Sequence, residues 1–80
     1  MTIYTEQSVI NYVAGKGMLT QGQATAAVNA IQHMIVEACK RGDELHLECG
    51  NFEKIQKGGV NGIVFRQDEA VKEYLNGSSN

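Results

Sequence analysis

One long amphipathic pattern between Thr20 and Gly42 constrains this chain more than any other feature. Ala24, Ala27, Val28, Ile31, Ile35 and Ala38 recur at helical spacing and so share one face of a continuous helix. Thr20-Gln21-Gly22-Gln23 opens it as a capping box, in which Thr20 and Gln23 satisfy each other's backbone donors. Lys40 and Arg41 suit the negative end of the last turn, and Gly42 closes it. Met34 and Cys39 widen the apolar face beyond what one short partner helix covers. The chain has only 80 residues, so little else is available to cover that face. A monomer of this size hides roughly 60–65% of its unfolded surface and is marginal alone. Burial of Val28, Ile31 and Ile35 against a second copy is the expected remedy.

A shorter helix precedes this one. Thr5 can cap it, Glu6 favours its positive end, and Val9, Ile10 and Val13 form its apolar stripe. Gly15-Lys16-Gly17 is expected to stop it, because glycine takes the left-handed conformation that ends helices. That triplet lacks the spacing and the preceding strand of a phosphate-binding loop. After Gly42 the period changes to two: Leu45, Leu47 and Cys49 alternate with Glu44, His46 and Glu48, which predicts a strand with one wet face. Gly50-Asn51 is expected to turn the chain into a strand over 52–57. A Gly58-Gly59-Val60-Asn61-Gly62 loop then leads to a strand over 63–66. A tight turn at Gly58-Gly59 sets Phe52 opposite Phe65, whereas one at Asn61-Gly62 shifts the register and separates them. The two-Phe register buries more and is preferred. A last helix over 68–75 places Ala70, Val71, Tyr74 and Leu75 on one face, and 78–80 form a flexible tail. The reading is a single α+β domain over 1–77.

Charge and cysteine content narrow the function classes. Seven Lys/Arg against nine Asp/Glu give a net charge of −2, which counts against a strongly cationic nucleic-acid binder. Two cysteines are too few for a disulfide scaffold and fit a reducing cytoplasm. No stretch reaches the roughly 20 apolar residues of a membrane span, and the N-terminus lacks the features of a signal peptide. His33, Cys39, His46 and Cys49 do not share chelating spacing, so small buried thiols and satisfied histidines are expected in place of a metal site. Arg41-Gly42-Asp43 is read as a helix end and turn. Glu44 and Glu48 are read as a solvated edge. No nucleophile–base pair or carboxylate dyad is present, so neither an enzyme nor a cofactor is expected.

Several stretches together resemble the HU/integration host factor family of bacterial DNA-bending proteins. They are Thr5-Glu6 with Ile10-Asn11, Gly17-Met18-Leu19-Thr20, Lys40-Arg41-Gly42-Asp43, Gly50-Asn51-Phe52-Glu53, and Phe65 leading into Ala70-Val71-Lys72. The resemblance covers roughly residues 4–76. It implies an intertwined homodimer of two N-terminal helices, a three-stranded antiparallel sheet and a short C-terminal helix, with Leu47, Phe52 and Phe65 joining the shared core. In that family the second and third strands extend into a long basic ribbon tipped by a Pro that wedges between base steps. Here the hairpin is short and the chain has no Pro. Val60 is the only apolar residue expected near its tip. The family's basic Lys-Pro-Gly-Lys-type segment is replaced by Arg66-Gln67-Asp68-Glu69, one residue is missing before Gly50, and Cys49 stands where a core aromatic is usual.

The candidate DNA contacts are Lys54, Lys57, Arg66, Lys72 and Arg41, with Lys40 beside Arg41. By resemblance the outer sheet face is the saddle under the duplex, and here it carries Glu44, His46 and Glu48. Two readings stand. In the first, the protein holds DNA weakly through its backbone, without sequence preference or bending. In the second, its dimer surface pairs with itself or with full-length chains of the family, and it binds no DNA itself. Both place it in the bacterial cytoplasm, at the nucleoid or in a phage or mobile-element context.

Overall fold

The computed structural model describes residues 1–77, and the tail expected at 78–80 lies outside them. The elements run α1 (Glu6–Gly17), α2 (Gln21–Lys40), β1 (Leu45–Leu47), β2 (Gly50–Lys57), β3 (Val60–Gln67) and α3 (Glu69–Leu75). Contacts gather the chain into two compact units, one ending at Met34 and one beginning at Ile35, and α2 contributes to both.

In the first unit, Thr5 caps α1 from an extended conformation. Its Oγ1 accepts from the Ser8 backbone N–H (3.3 Å), and the Ser8 hydroxyl accepts from the Thr5 N–H (3.2 Å). The end of α1 differs from expectation. The helix continues through Gly15-Lys16-Gly17, and Met18 takes the left-handed conformation (φ 55°, ψ 46°). A non-glycine residue there costs about 1–2 kcal/mol. The Met18 and Leu19 N–H groups offset that cost by closing onto the Ala14 carbonyl, which would otherwise lack a partner. Gly17 serves packing instead: a Cβ there would lie 3.2 Å from Leu19 Cγ. The capping box of α2 forms as expected, with Gln23 N–H to Thr20 Oγ1 at 3.1 Å and Thr20 N–H to Gln23 Oε1 at 2.9 Å. Ile10, Ala24 and Val28 form the buried cluster, with Val13 and Ala14 against it. Asn11 Oδ1 accepts from both Gln7 Nε2 (2.9 Å) and Gln21 Nε2 (3.1 Å), joining α1 to the start of α2.

In the second unit, Ala38 and Cys39 at the end of α2 are buried, as is Leu45. Gly42 (φ 82°) turns the chain, and the Asp43 N–H reaches back to the Ala38 carbonyl at 2.9 Å. The sheet is antiparallel in the order β1-β2-β3. Two turns lie elsewhere than the sequence suggests. The β1–β2 turn is Glu48-Cys49, because Leu47 pairs with Gly50, so Gly50 and Asn51 already belong to β2. Gly50 is needed there for space: a Cβ would stand 2.4 Å from the Arg66 carbonyl oxygen. The loop expected over 58–62 shrinks to Gly58-Gly59. Both have positive φ (59° and 81°), which suits the tight turn that matches the twist of a hairpin. Val60, Asn61 and Gly62 are strand residues opposite Lys57, Gln56 and Ile55.

This hairpin has the preferred register: Phe52 pairs with Phe65, their ring centroids 5.0 Å apart and tilted by 51°. Asp68 caps α3 through its carboxylate (Ala70 N–H to Oδ2, 3.0 Å), and its own N–H donates to the Cys49 carbonyl at 2.9 Å. Only Val71 of the apolar face expected for this helix is half-buried; Ala70, Tyr74 and Leu75 are exposed.

Candidate nucleic-acid interface

Residues paired across an antiparallel ladder share a face, and successive residues alternate. The observed register therefore puts Leu45, Phe52, Lys54, Asn61, Ile63 and Phe65 on one face of the sheet. The other carries His46, Asn51, Glu53, Ile55, Lys57, Val60, Val64 and Arg66. Two of the hairpin cations thus share a face but stand at its opposite ends, Lys57 opposite Val60 beside the turn and Arg66 opposite Asn51, and the third is not on that face. Lys54 lies on the phenylalanine face. Lys72 sits on α3 and Arg41 follows α2.

The cations differ in how free they are. Arg66 Nε donates to Glu53 Oε1 at 3.0 Å, and Arg41 Nε donates to Asp43 Oδ2 at 3.2 Å. Each of these arginines already faces a carboxylate that repels phosphate. Among the described residues, Lys54, Lys57 and Lys72 form no ion pair. The acids expected on the outer strand face are also rearranged. Glu44 precedes β1 and reaches the His46 ring at 2.9 Å, while Glu48 lies in the turn. Glu53 is the acid that the sheet itself presents. Sequence reasoning did not find this pair, although the Phe52–Phe65 register contains it. Asn51 then faces Arg66, and Glu53 stands diagonally beside it.

The hairpin also carries more apolar surface than Val60 alone. Ile55 lies diagonal to both Val60 and Val64 on the outer face, with Ile55 and Val60 exposed. The expectation of two buried thiols holds for Cys39 only; Cys49 is exposed in its turn. His33 is exposed, and no group of His, Cys, Asp and Glu among the described residues is placed to hold a metal ion.

The residues assigned to a dimer interface divide by exposure. Val28 packs into its own helical core with Ile10 and Ala24. Ile35 and Phe52 are half-buried, while Ile31, Leu47 and Phe65 are exposed at 55%, 46% and 45%. Large apolar side chains left this open in a single chain are the kind of surface that a partner covers.

The chain is 46% identical over 70 residues to a protein of Bifidobacterium longum named as DNA-binding, a match covering 85% of this chain and 74% of that protein. The fold superposes on a solved structure of a mutant HU from Thermotoga maritima with a TM-score of 0.78 at 22% identity, covering 89% of this chain and 97% of that one. No family model matches.

Proposed function

Because the chain belongs to the HU/integration host factor family, a family of architectural proteins and not of enzymes, we propose that it is a homodimeric DNA-associated protein that holds duplex DNA through phosphate contacts, without sequence preference and with little or no bending. One domain over 1–77 and its second copy carry that role, and no cofactor is required. The observation that carries the reading is the end of β2 at Lys57, closed by a two-residue turn. Minor-groove architectural proteins kink DNA by inserting an apolar wedge, which must be held far from the body. Beyond the last β1 pairing at Phe52, this hairpin extends only over 53–57, about 17 Å at 3.3 Å per residue. Ile55 and Val60 therefore stay close to the sheet and cannot be carried around a duplex.

The remaining contacts are electrostatic. Lys54, Lys57 and Arg66 from two subunits could neutralise six phosphates at most, so log K should fall with log[salt] at a slope no steeper than about −5. Arg41 is held by Asp43 and Lys72 sits on α3, so neither is counted among the six. Glu53 weakens the contribution of Arg66, and affinity should nearly vanish at physiological salt. Replacing Lys54 and Lys57 together by Glu should abolish the binding and leave the dimer intact, since exposed charges contribute little to folding.

A second reading is supported by the exposed Ile31, Leu47 and Phe65 and by the acid paired with Arg66. In it the protein pairs with full-length chains of the family and yields heterodimers short of one arm. Gel shift at low salt, with and without a full-length HU-type protein, separates the two. Retarded duplex with this protein alone supports direct binding. No shift alone, together with loss of the full-length protein's own shift on mixing, supports the antagonist. Either role is cytoplasmic, at the nucleoid or on phage or mobile-element DNA, and no helix among the described residues is long and apolar enough to cross a membrane.

A further inference from the structure

Lys54 lies on the face away from Lys57 and Arg66, yet it is not isolated. With Lys40 it lines a groove of about 260 Å³ whose other walls include Val36, Asn61, Gly62 and Ile63. No carboxylate lines this groove, and neither lysine is in an ion pair among the described residues. The two arginines of the chain, Arg41 and Arg66, are by contrast both held by acids. Two lysines without an acid partner therefore line one groove, a setting that favours an anion over a cation. Asn61 adds an amide donor on the same strand face as Lys54 and Ile63. Val36 and Ile63 supply an apolar wall. At roughly 30 Å³ per water the space equals that of about eight waters, enough for a phosphate and the sugar it is attached to.

We infer that the Lys40–Lys54 groove is a phosphate subsite that takes one nucleotide unit, its phosphate between the two ammonium groups and its sugar against Val36 and Ile63. Lysine binds phosphate as a point charge with rotatable donors, so two lysines suit the doubly charged end of a free monoester and the single charge of a backbone phosphodiester. The backbone source rests on the proposed DNA association; the free nucleotide does not. The subsite is distinct from the outer sheet face, which presents Lys57 and Arg66.

The test uses the full chain, labelled with ¹⁵N, at low salt. Inorganic phosphate, thymidine 5′-monophosphate and a 12-base-pair duplex are titrated separately. The expected result is a saturable shift of the Asn61, Gly62 and Ile63 amide signals with the monophosphate, and a smaller one with inorganic phosphate. Lys40→Gln and Lys54→Gln should each weaken monophosphate binding about tenfold, the loss of one charge-assisted hydrogen bond, while Lys16→Gln on α1 changes nothing. With the duplex, each groove variant should flatten the salt slope by about 1 for every phosphate it no longer neutralises. Circular dichroism checks that the variants fold. A shift with the monophosphate but no duplex binding supports the subsite for free nucleotides and refutes the DNA reading. Duplex binding that leaves the groove signals still and is unchanged in both variants overturns the subsite and takes Lys54 off the phosphates, leaving DNA association to Lys57 and Arg66. Silence with every probe overturns the subsite.

Discussion

Gly50→Ala tests whether the sheet is built as described. The new Cβ would stand 2.4 Å from the Arg66 carbonyl oxygen, 2.7 Å from Phe65 Cζ and 2.8 Å from Phe65 Cε1. The Phe65 ring is 45% exposed and can swing, but the Arg66 carbonyl belongs to the strand paired with β2 and cannot. Making room means moving the end of β3 and, with it, the Asp68 N–H bond to the Cys49 carbonyl that anchors α3. Overpacking of this kind costs about 1–3 kcal/mol. Gly50 also has φ 154°, a conformation that adds about 1–3 kcal/mol for a residue with a side chain. A total near 4 kcal/mol is large against the roughly 4–12 kcal/mol that a chain of this length has to lose. At about 4–8 °C per kcal/mol, Tm should fall by about 15–30 °C. Gly58→Ala is the control: φ is 59°, nothing lies within 4 Å of the new Cβ, and only the backbone cost of about 1–2 kcal/mol remains. Both should be melted by circular dichroism at one fixed protein concentration, because the Tm of the proposed dimer would depend on concentration. If Gly50→Ala loses no more than Gly58→Ala, the close approach of β2 to Arg66 is wrong.

Three further outcomes can be checked. Ile31→Glu or Ile35→Glu should both dissociate and unfold the protein, since core and interface are one structure in the proposed dimer; a stable folded monomer in sedimentation would refute this. Glu53→Gln should free Arg66 and raise duplex affinity several-fold at low salt, with Tm changing by no more than about 2 °C, because a pair this near the surface contributes little. An unchanged affinity in fluorescence anisotropy would remove Arg66 from the contact surface. Lys57→Gln should flatten the salt slope of duplex binding by about 1 for every phosphate left without its lysine, and an unchanged slope would exclude Lys57 from the phosphates.

Much of the fold is legible because its signals are local. The Thr20–Gln23 box and the apolar period of α2 each need only a few neighbouring residues and appear where the sequence puts them, while the alternation expected over 44–49 survives as a strand over Leu45–Leu47 only. The errors fall where glycine offers more than one solution. By local propensity Gly15, Gly17 and Gly50 are turn residues. The first two instead lie inside α1, while Gly50 is a strand residue whose missing side chain makes space. What decides Gly50 is its approach to Arg66, a residue far along the chain, and local propensity does not report it. The site was legible in composition but not in arrangement. Lys54 and Lys57 are three apart on a strand, an odd spacing that sends them to opposite faces, so the period-two rule already divides them. The Glu53–Arg66 pair needed the register as well.

Association with DNA without bending is tested most directly on the duplex itself. A duplex of about 30 base pairs carrying a donor and an acceptor at its ends should be titrated at low salt while anisotropy and fluorescence transfer are read on the same sample. Anisotropy should rise to saturation while transfer stays at its free-duplex value, and added salt should reverse the rise with a slope no steeper than about −5. A rise in transfer that tracks the anisotropy would show a bent duplex, and with it a wedge that the short hairpin is argued not to deliver.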